Sequence, residues 1–218
     1  MEKIKNQIAS FLHRLGVSPN FLTVLGLLFA FGTAGLIYRG QFFWAGAVLL
    51  VSGALDLLDG AVARAAGKAG NFGGVFDSSL DRYGDGIVLG MLVIHFAARG
   101  QNLYAVFALS ALLGSFAISY VRARAECEVD ACRIGFWERG ERIVYLALGL
   151  LFNNAALAVG VLGIFTHATV ARRLFLSKRL LTGTAAPAAP VGDPRARLLY
   201  RLQVLWWVLL MILVHPAG

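Results

Sequence analysis

"LDLLDGAVAR", Leu55 to Arg64, closes an apolar run that begins at Phe42. It carries Asp56, Asp59 and Arg64 within ten residues. A carboxylate in hydrocarbon is expensive, and such residues in membrane segments mark function more often than chance. The composition says that this segment does lie in a membrane. The chain has 218 residues, 58% of them hydrophobic and only 15% charged, and its mean hydropathy is +0.71. A soluble domain carries about 25% charged residues. The class is a polytopic membrane protein built as one domain.

Outward from this stretch, apolar spans fall at roughly 21–38, 42–65, 75–98, 103–121, 135–152 and 155–174. Each approaches the length needed to cross a bilayer. The fold expected is all-α integral membrane: a six-transmembrane-helix bundle with an N-terminal amphipathic interfacial helix and an extra C-terminal hydrophobic helix. The interfacial helix is read over residues 3 to 15, where Ile4, Ile8, Phe11, Leu12 and Leu15 recur near helical spacing. It lacks the uninterrupted apolar core of a signal peptide. Ser18 then caps the first span, with Pro19 at its first position. The boundaries are 1–17 for the juxtamembrane helix, 18–181 for the core, 182–197 for a Pro/Ala/Gly linker and 198–218 for the added hydrophobic helix.

The net charge of +8 points to lipid headgroups rather than nucleic acid, because the basic residues flank apolar spans. With the N-terminus inside, one face holds Lys3, Lys5, Arg14, Arg64, Lys68, Arg82, Arg122, Arg124 and the basic residues of 133–142 and 172–179; the other holds Arg39 and Arg99. This asymmetry predicts a cytoplasmic N-terminus in the cell's inner membrane. Cys127 and Cys132 share one polar loop and have no second Cys/His pair for a zinc site. The histidines, at 13, 95, 167 and 215, are scattered and read as interfacial or structural.

The second span ends with Asp56 and Asp59, and the third begins with Asp77 and Asp81. Spacings of i, i+3 and i, i+4 put each pair on one helix face. The short glycine-rich connection predicts that the two helices are antiparallel neighbours whose four carboxylates converge. Divalent cations relieve the repulsion, and hard oxygen ligands suit Mg²⁺ or Mn²⁺. Two such ions would organise phosphate or diphosphate chemistry. A single aspartate could be helix-interface glue, and a cluster could conduct protons or cations; transport sites, however, tend to lie at the midplane in broken helices. Gly53, Gly60 and Ala63 leave backbone open on the second span, with helix packing as the plain alternative for Gly53. Gly73 and Gly74 permit an unusual turn before Asp77.

The residues spell Asp56-x-x-Asp59-Gly60-x-x-Ala63-Arg64, then eight residues, then Gly73-x-x-x-Asp77-x-x-x-Asp81. This resembles the signature of the CDP-alcohol phosphatidyltransferases at every position, and the likeness runs from about 18 to 180. The resemblance implies transfer of a phosphatidyl group from CDP-diacylglycerol to an alcohol, with CMP leaving. It assigns the metals to Asp56, Asp59, Asp77 and Asp81, the nucleotide to Asp56, Gly60, Ala63 and Arg64, and the general base to Asp81. It also implies a homodimer.

The stretch "DSSLDRYGD", with Arg82 and Asp85 following the fourth aspartate, resembles the branch that uses inositol phosphate, as do "SYVRARAE" and "ERGER". Arg122, Arg142 and Arg173 would then receive the acceptor phosphate. Asp85 would either pair with Arg82 or orient the ligand. Arg139, Gly73 and Ser78 are further candidates. A lysine is frequent in that branch where Arg122 stands, which keeps the charge and changes the geometry. Glycerol 3-phosphate, free inositol or another polyol are the alternative acceptors. A prenyltransferase or a cation or proton transporter is the rival class.

Overall fold

A computed structural model describes residues 2–65, 71–128 and 138–182. Seven helices and no strand occur among them: α1 (Glu2–Arg14), α2 (Pro19–Tyr38), α3 (Phe42–Ala65), α4 (Asn71–Ala98), α5 (Asn102–Glu126), α6 (Arg139–Leu151) and α7 (Ala155–Leu181). The linker, the C-terminal hydrophobic stretch, the loop with Cys132 and the histidine at 215 lie outside the described residues. Ser18 caps α2 as its sequence position predicts: its hydroxyl accepts from the Phe21 amide at 3.2 Å, and Pro19 occupies the first turn.

Three tight turns pair the helices into hairpins: α2 with α3, α4 with α5, and α6 with α7. The first two turns use the same tripeptide, Arg39-Gly40-Gln41 and Arg99-Gly100-Gln101. In each the glycine takes a left-handed φ, +75° and +71°. In each the glutamine amide reaches back to a carbonyl five residues earlier, at 2.9 Å. A β-carbon is strained at that φ, so glycine ends both helices. At this same end the buried His95 places Nδ1 2.9 Å from the Ile37 carbonyl oxygen, and its ring meets Phe42 edge-on. His95 thus pins the second hairpin to the first.

The hairpins close into a ring. In cyclic order α3, α2, α4, α5, α7 and α6 each pack against the next, and α6 returns to α3. This corrects the expectation that α3 and α4 are close neighbours. They follow one another in the chain, but α2 packs against both and stands between them. The two aspartate pairs therefore face each other across the ring interior. The second correction concerns Gly73 and Gly74, which are not in a turn. They lie in the first turn of α4, which starts at Asn71. Glycine is a poor helix former, but its cost of about 1 kcal/mol is small beside the burial of a 28-residue helix.

The surface is inverted relative to a soluble protein. Phe21, Phe31, Trp44, Val106, Ile164 and Phe175 are exposed on the outside, while Asp59, Arg142 and Arg173 are buried. An apolar exterior of this extent is paid for only in lipid. Among the described residues, four helices, α2, α3, α5 and α7, are long and apolar enough to cross a membrane. The charges of α4 and the 13 residues of α6 keep those two out of that set. The α1 helix packs on α3, with Ala9 buried against the region of Ala61 and Val62. Its Ile8 and Phe11, and Leu15 just beyond, face outward.

Small residues set the seams. A β-carbon at Gly46 would lie 2.6 Å from the Ala147 carbonyl oxygen and 2.8 Å from the Leu151 amide nitrogen. At Gly53 it would lie 3.0 Å from Ile143, so this glycine serves helix packing. Both belong to the α3–α6 seam. Gly46→Ala is expected to destabilise the bundle by about 1–3 kcal/mol through overpacking. Gly35→Ala, where a β-carbon meets nothing within 4 Å, serves as the comparison. Thermal melts in detergent check this, with the midpoint falling for Gly46→Ala alone.

Candidate active site

The charged residues gather at the end of the bundle opposite the tight turns. From α3 come Asp56 and Asp59, and from α4 come Asp77, Asp81 and Asp85. Asp56, Asp59 and Asp77 each offer a carboxylate oxygen, and these oxygens lie within 4.8 Å of one another. Oxygens sharing one Mg²⁺ at about 2.1 Å lie at most about 4.2 Å apart. Side-chain rotation would bring the three into range. The donor set is all oxygen, and Asp77 Oδ1 is buried without a hydrogen-bond partner among the described residues. An acceptor left so is costly unless something electropositive reaches it. The residues fit a hard divalent ion.

Asp59 is buried at 4% exposure, and Thr23 from the first turns of α2 donates to its Oδ2 at 2.9 Å. Sequence reasoning did not single out Thr23. Its signal was a threonine one turn inside a capped helix, and nothing in the sequence says that this helix lies beside α3.

Asp81 is not in the triad. It lines a cleft with Asp56, Asp59 and Asp85 from the acidic helices, Thr23, Gly26 and Ala30 from α2, and Arg139 and Arg142 from α6. The cleft holds about 670 Å³ of empty space, part of it open to solvent. Arg139 Nη1 lies 2.8 Å from Asp56 Oδ2 and 2.9 Å from Asp81 Oδ1, and its Nε is 3.5 Å from Asp85. Arg142 Nη2 lies 3.4 Å from the other oxygen of Asp85. Asp85 therefore pairs with the arginines of α6. Arg82 turns the other way, and its Nη1 donates to the Ser78 carbonyl one turn back. Geometry explains this: on α4 the position after Asp81 points off the face that Asp77, Asp81 and Asp85 share at intervals of four.

The remaining candidates are more dispersed. Gly60 and Ala63 are half-buried near the end of α3. The exposed Arg64 folds back along its own helix, so that a β-carbon on Gly60 would lie 3.5 Å from its Nη1. None of these three lines the cleft. Around Gly73 a β-carbon would meet nothing within 4 Å, and Ser78 is exposed. Of the three acceptor arginines, Arg142 alone lines the cleft. Arg122 is half-exposed and pairs with Glu126 at 2.9 Å along its own helix. Arg173 is buried at 3% and donates to the Ile118 carbonyl at 2.9 Å, one turn before Arg122 on α5.

A bundle with an apolar exterior and an acidic cleft at one end belongs to the class of helical membrane proteins. The CDP-alcohol phosphatidyltransferase family model matches residues 16–172. The chain belongs to this family. It is 35% identical over 182 residues to archaetidylinositol phosphate synthase of Pyrococcus horikoshii, covering 83% of this chain and 92% of that one. It is also 35% identical over 181 residues to phosphatidylinositol phosphate synthase of Mycobacteroides abscessus, covering 79% and 82%. Among solved structures it resembles Mycobacterium tuberculosis phosphatidylinositol phosphate synthase with CDP-DAG bound. The TM-score is 0.74 at 29% identity, over 86% of this chain and 99% of that one. The same enzyme in complex with manganese and citrate gives 0.73 at 28% identity, over 88% and 97%.

Proposed function

We propose that the chain transfers the phosphatidyl group of CDP-diacylglycerol to inositol phosphate and releases CMP. The observation that carries this reading is the gathering of the Asp56, Asp59 and Asp77 oxygens beside a cleft that Arg139 and Arg142 line. One side suits a metal-bound diphosphate, and the other suits an anionic acceptor. The two relatives named above carry different lipids in their names but the same inositol phosphate. The acceptor half of the reading is therefore the half on which they agree.

Asp56, Asp59 and Asp77 would hold Mg²⁺ or Mn²⁺, with Asp81 sharing a second ion. These ions would supply charge neutralisation at the diphosphate. Gly60 and Ala63, with no side chain beyond a methyl, would let the cytidine approach the end of α3, and Arg64 would meet its phosphate. Asp81 would take the proton of the acceptor hydroxyl. The hydroxyl oxygen then bonds to the β-phosphorus, the bond from that phosphorus to the CMP oxygen breaks, and CMP departs with the electron pair. No covalent intermediate with the protein is needed. Arg142, oriented by Asp85, would bind the acceptor phosphate, with Arg122 and Arg173 contributing from α5 and α7.

The reading extends to the setting. The helices α2 to α7 would form six spans, with α1 on the membrane surface through Ile8, Phe11 and Leu15. The N-terminus and the cleft would face the cytoplasm of the cell's inner membrane, supported by the basic residues at that end. Residues 18–181 would form the catalytic core, and a homodimer would be the working unit, on the family resemblance.

The test is CMP release by purified protein given CDP-diacylglycerol, Mn²⁺ and one acceptor at a time. Inositol phosphate is expected to support release. Arg142→Ala is expected to raise the KM for inositol phosphate by about tenfold or more, the value of one charge-assisted hydrogen bond, and to leave the KM for CDP-diacylglycerol unchanged. Preference for glycerol 3-phosphate or free inositol would move the acceptor and keep the chemistry. Cation uptake into proteoliposomes without CMP would sink the enzyme reading.

A further inference from the structure

Among the described residues, Arg139 touches carboxylates of both halves of the aspartate motif. Its Nη1 is shared between Asp56 of α3 and Asp81 of α4, at 2.8 and 2.9 Å, and its Nε leans on Asp85 at 3.5 Å. Its origin is fixed. Arg139 is the first residue of α6, and the Glu138 amide donates to the Glu141 carboxylate at 2.8 Å in a capping box that sets where the helix begins. Its side chain is 22% exposed and that of Asp81 16%, so these pairs are weakly screened by solvent. At these separations the guanidinium and the carboxylates are in direct ionic contact.

We propose that Arg139 is a positioning residue that divides the motif's four aspartates between two divalent-ion sites of unequal strength. The Asp56, Asp59 and Asp77 oxygens form the tighter site, because they already gather within 4.8 Å. Asp81 stands outside that group and is held by the guanidinium. An ion that binds through Asp81 Oδ1 or Asp56 Oδ2 competes with Arg139 for that oxygen. The competition is local, because the guanidinium already contacts these two oxygens. Arg139 thereby favours an Asp81 that is oriented but not locked into a metal site, which suits a proton acceptor. This inference rests on the metal reading given above.

The experiment is a Mn²⁺ titration of the purified full-length protein in detergent without substrate, followed by electron paramagnetic resonance. Wild type is expected to show a tighter and a weaker site. Arg139→Gln is expected to tighten the weaker site by about tenfold and to change the tighter one much less. Arg142→Gln removes a neighbouring guanidinium that pairs with Asp85, so it is expected to shift both sites alike through the general loss of charge. Arg139→Lys keeps the charge on a shorter reach; it is expected to tighten the weaker site by a smaller factor, and it carries the test if Arg139→Gln does not fold. Two equal sites in wild type, or an Arg139→Gln that matches Arg142→Gln, would overturn the proposal and leave the metal reading intact. Absence of Mn²⁺ binding by wild type would overturn both.

Discussion

Asp81→Asn is expected to lower the rate of CMP release by about 10²–10⁴-fold, the range that a positioned general base contributes, while Mn²⁺ still binds the protein. Asp81 lines the cleft but does not belong to the three carboxylates whose oxygens converge. Asparagine keeps its size and leaves a carbonyl oxygen beside Arg139. What it loses is the capacity to take a proton. The loss should fall on kcat, with the KM for CDP-diacylglycerol little changed, because the triad that would carry the diphosphate is untouched. A drop of only a few-fold would place the base elsewhere.

Asp59→Asn is expected to act on metal binding first. Asp59 is buried, and Thr23 fixes one of its oxygens at 2.9 Å. Asparagine can still accept from Thr23, so the fold at this point survives. The substitution exchanges one charged oxygen for an amide nitrogen that repels a cation. Losing an outer-shell partner of a metal site weakens binding by roughly 10–100-fold, and losing a ligand should cost more. CMP release should vanish at Mn²⁺ concentrations that saturate wild type and return in part when Mn²⁺ is raised. Paramagnetic resonance and the CMP assay, run on the same preparation, check both halves. Unaltered Mn²⁺ affinity would remove Asp59 from the ligand set.

Much of the fold is legible in the chain because water and lipid sort residues along it. The second span, read as 42–65, is α3 to the residue: it begins just after Gln41 and ends just past Arg64. Other ends were harder to place. The apolar pattern of α5 stops at Val121, yet the helix runs on to Glu126. Ion pairs at i, i+4, Arg122 with Glu126 and Arg124 with Glu128, carry it past the last apolar residue. Hydropathy is blind to that source of helix stability. The start of α4 was hidden for the opposite reason, because Gly73 and Gly74 signal a turn while the helix runs through them.

The acid half of the site is legible because a charge in a greasy span is costly and stands out. Its partners are not. Thr23 and Asp59 meet across a helix seam, as do Arg139 and Asp56, and nothing local in either segment names the other. The arginines at 122, 142 and 173 illustrate the same limit. Each looks alike in sequence as a basic residue at a helix end. Packing sends Arg142 into the cleft, Arg173 to a backbone carbonyl and Arg122 to a carboxylate on its own helix.

The three hairpins also work as jaws. Each is closed by a tight turn at one face, and each delivers charged side chains at the other: Asp56 and Asp59 from the first, Asp77, Asp81 and Asp85 from the second, Arg139 and Arg142 from the third. His95 couples the first two jaws near their closed ends, far from the chemistry. A helix of 20 residues is about 30 Å long, so a tilt of about 2° at the closed end moves the open end by about 1 Å. A displacement of that size can change a rate by about 10². The spacing between the aspartates of α3 and those of α4 is therefore governed in part from the far end of the bundle, by a buried imidazole resting on the carbonyl of Ile37.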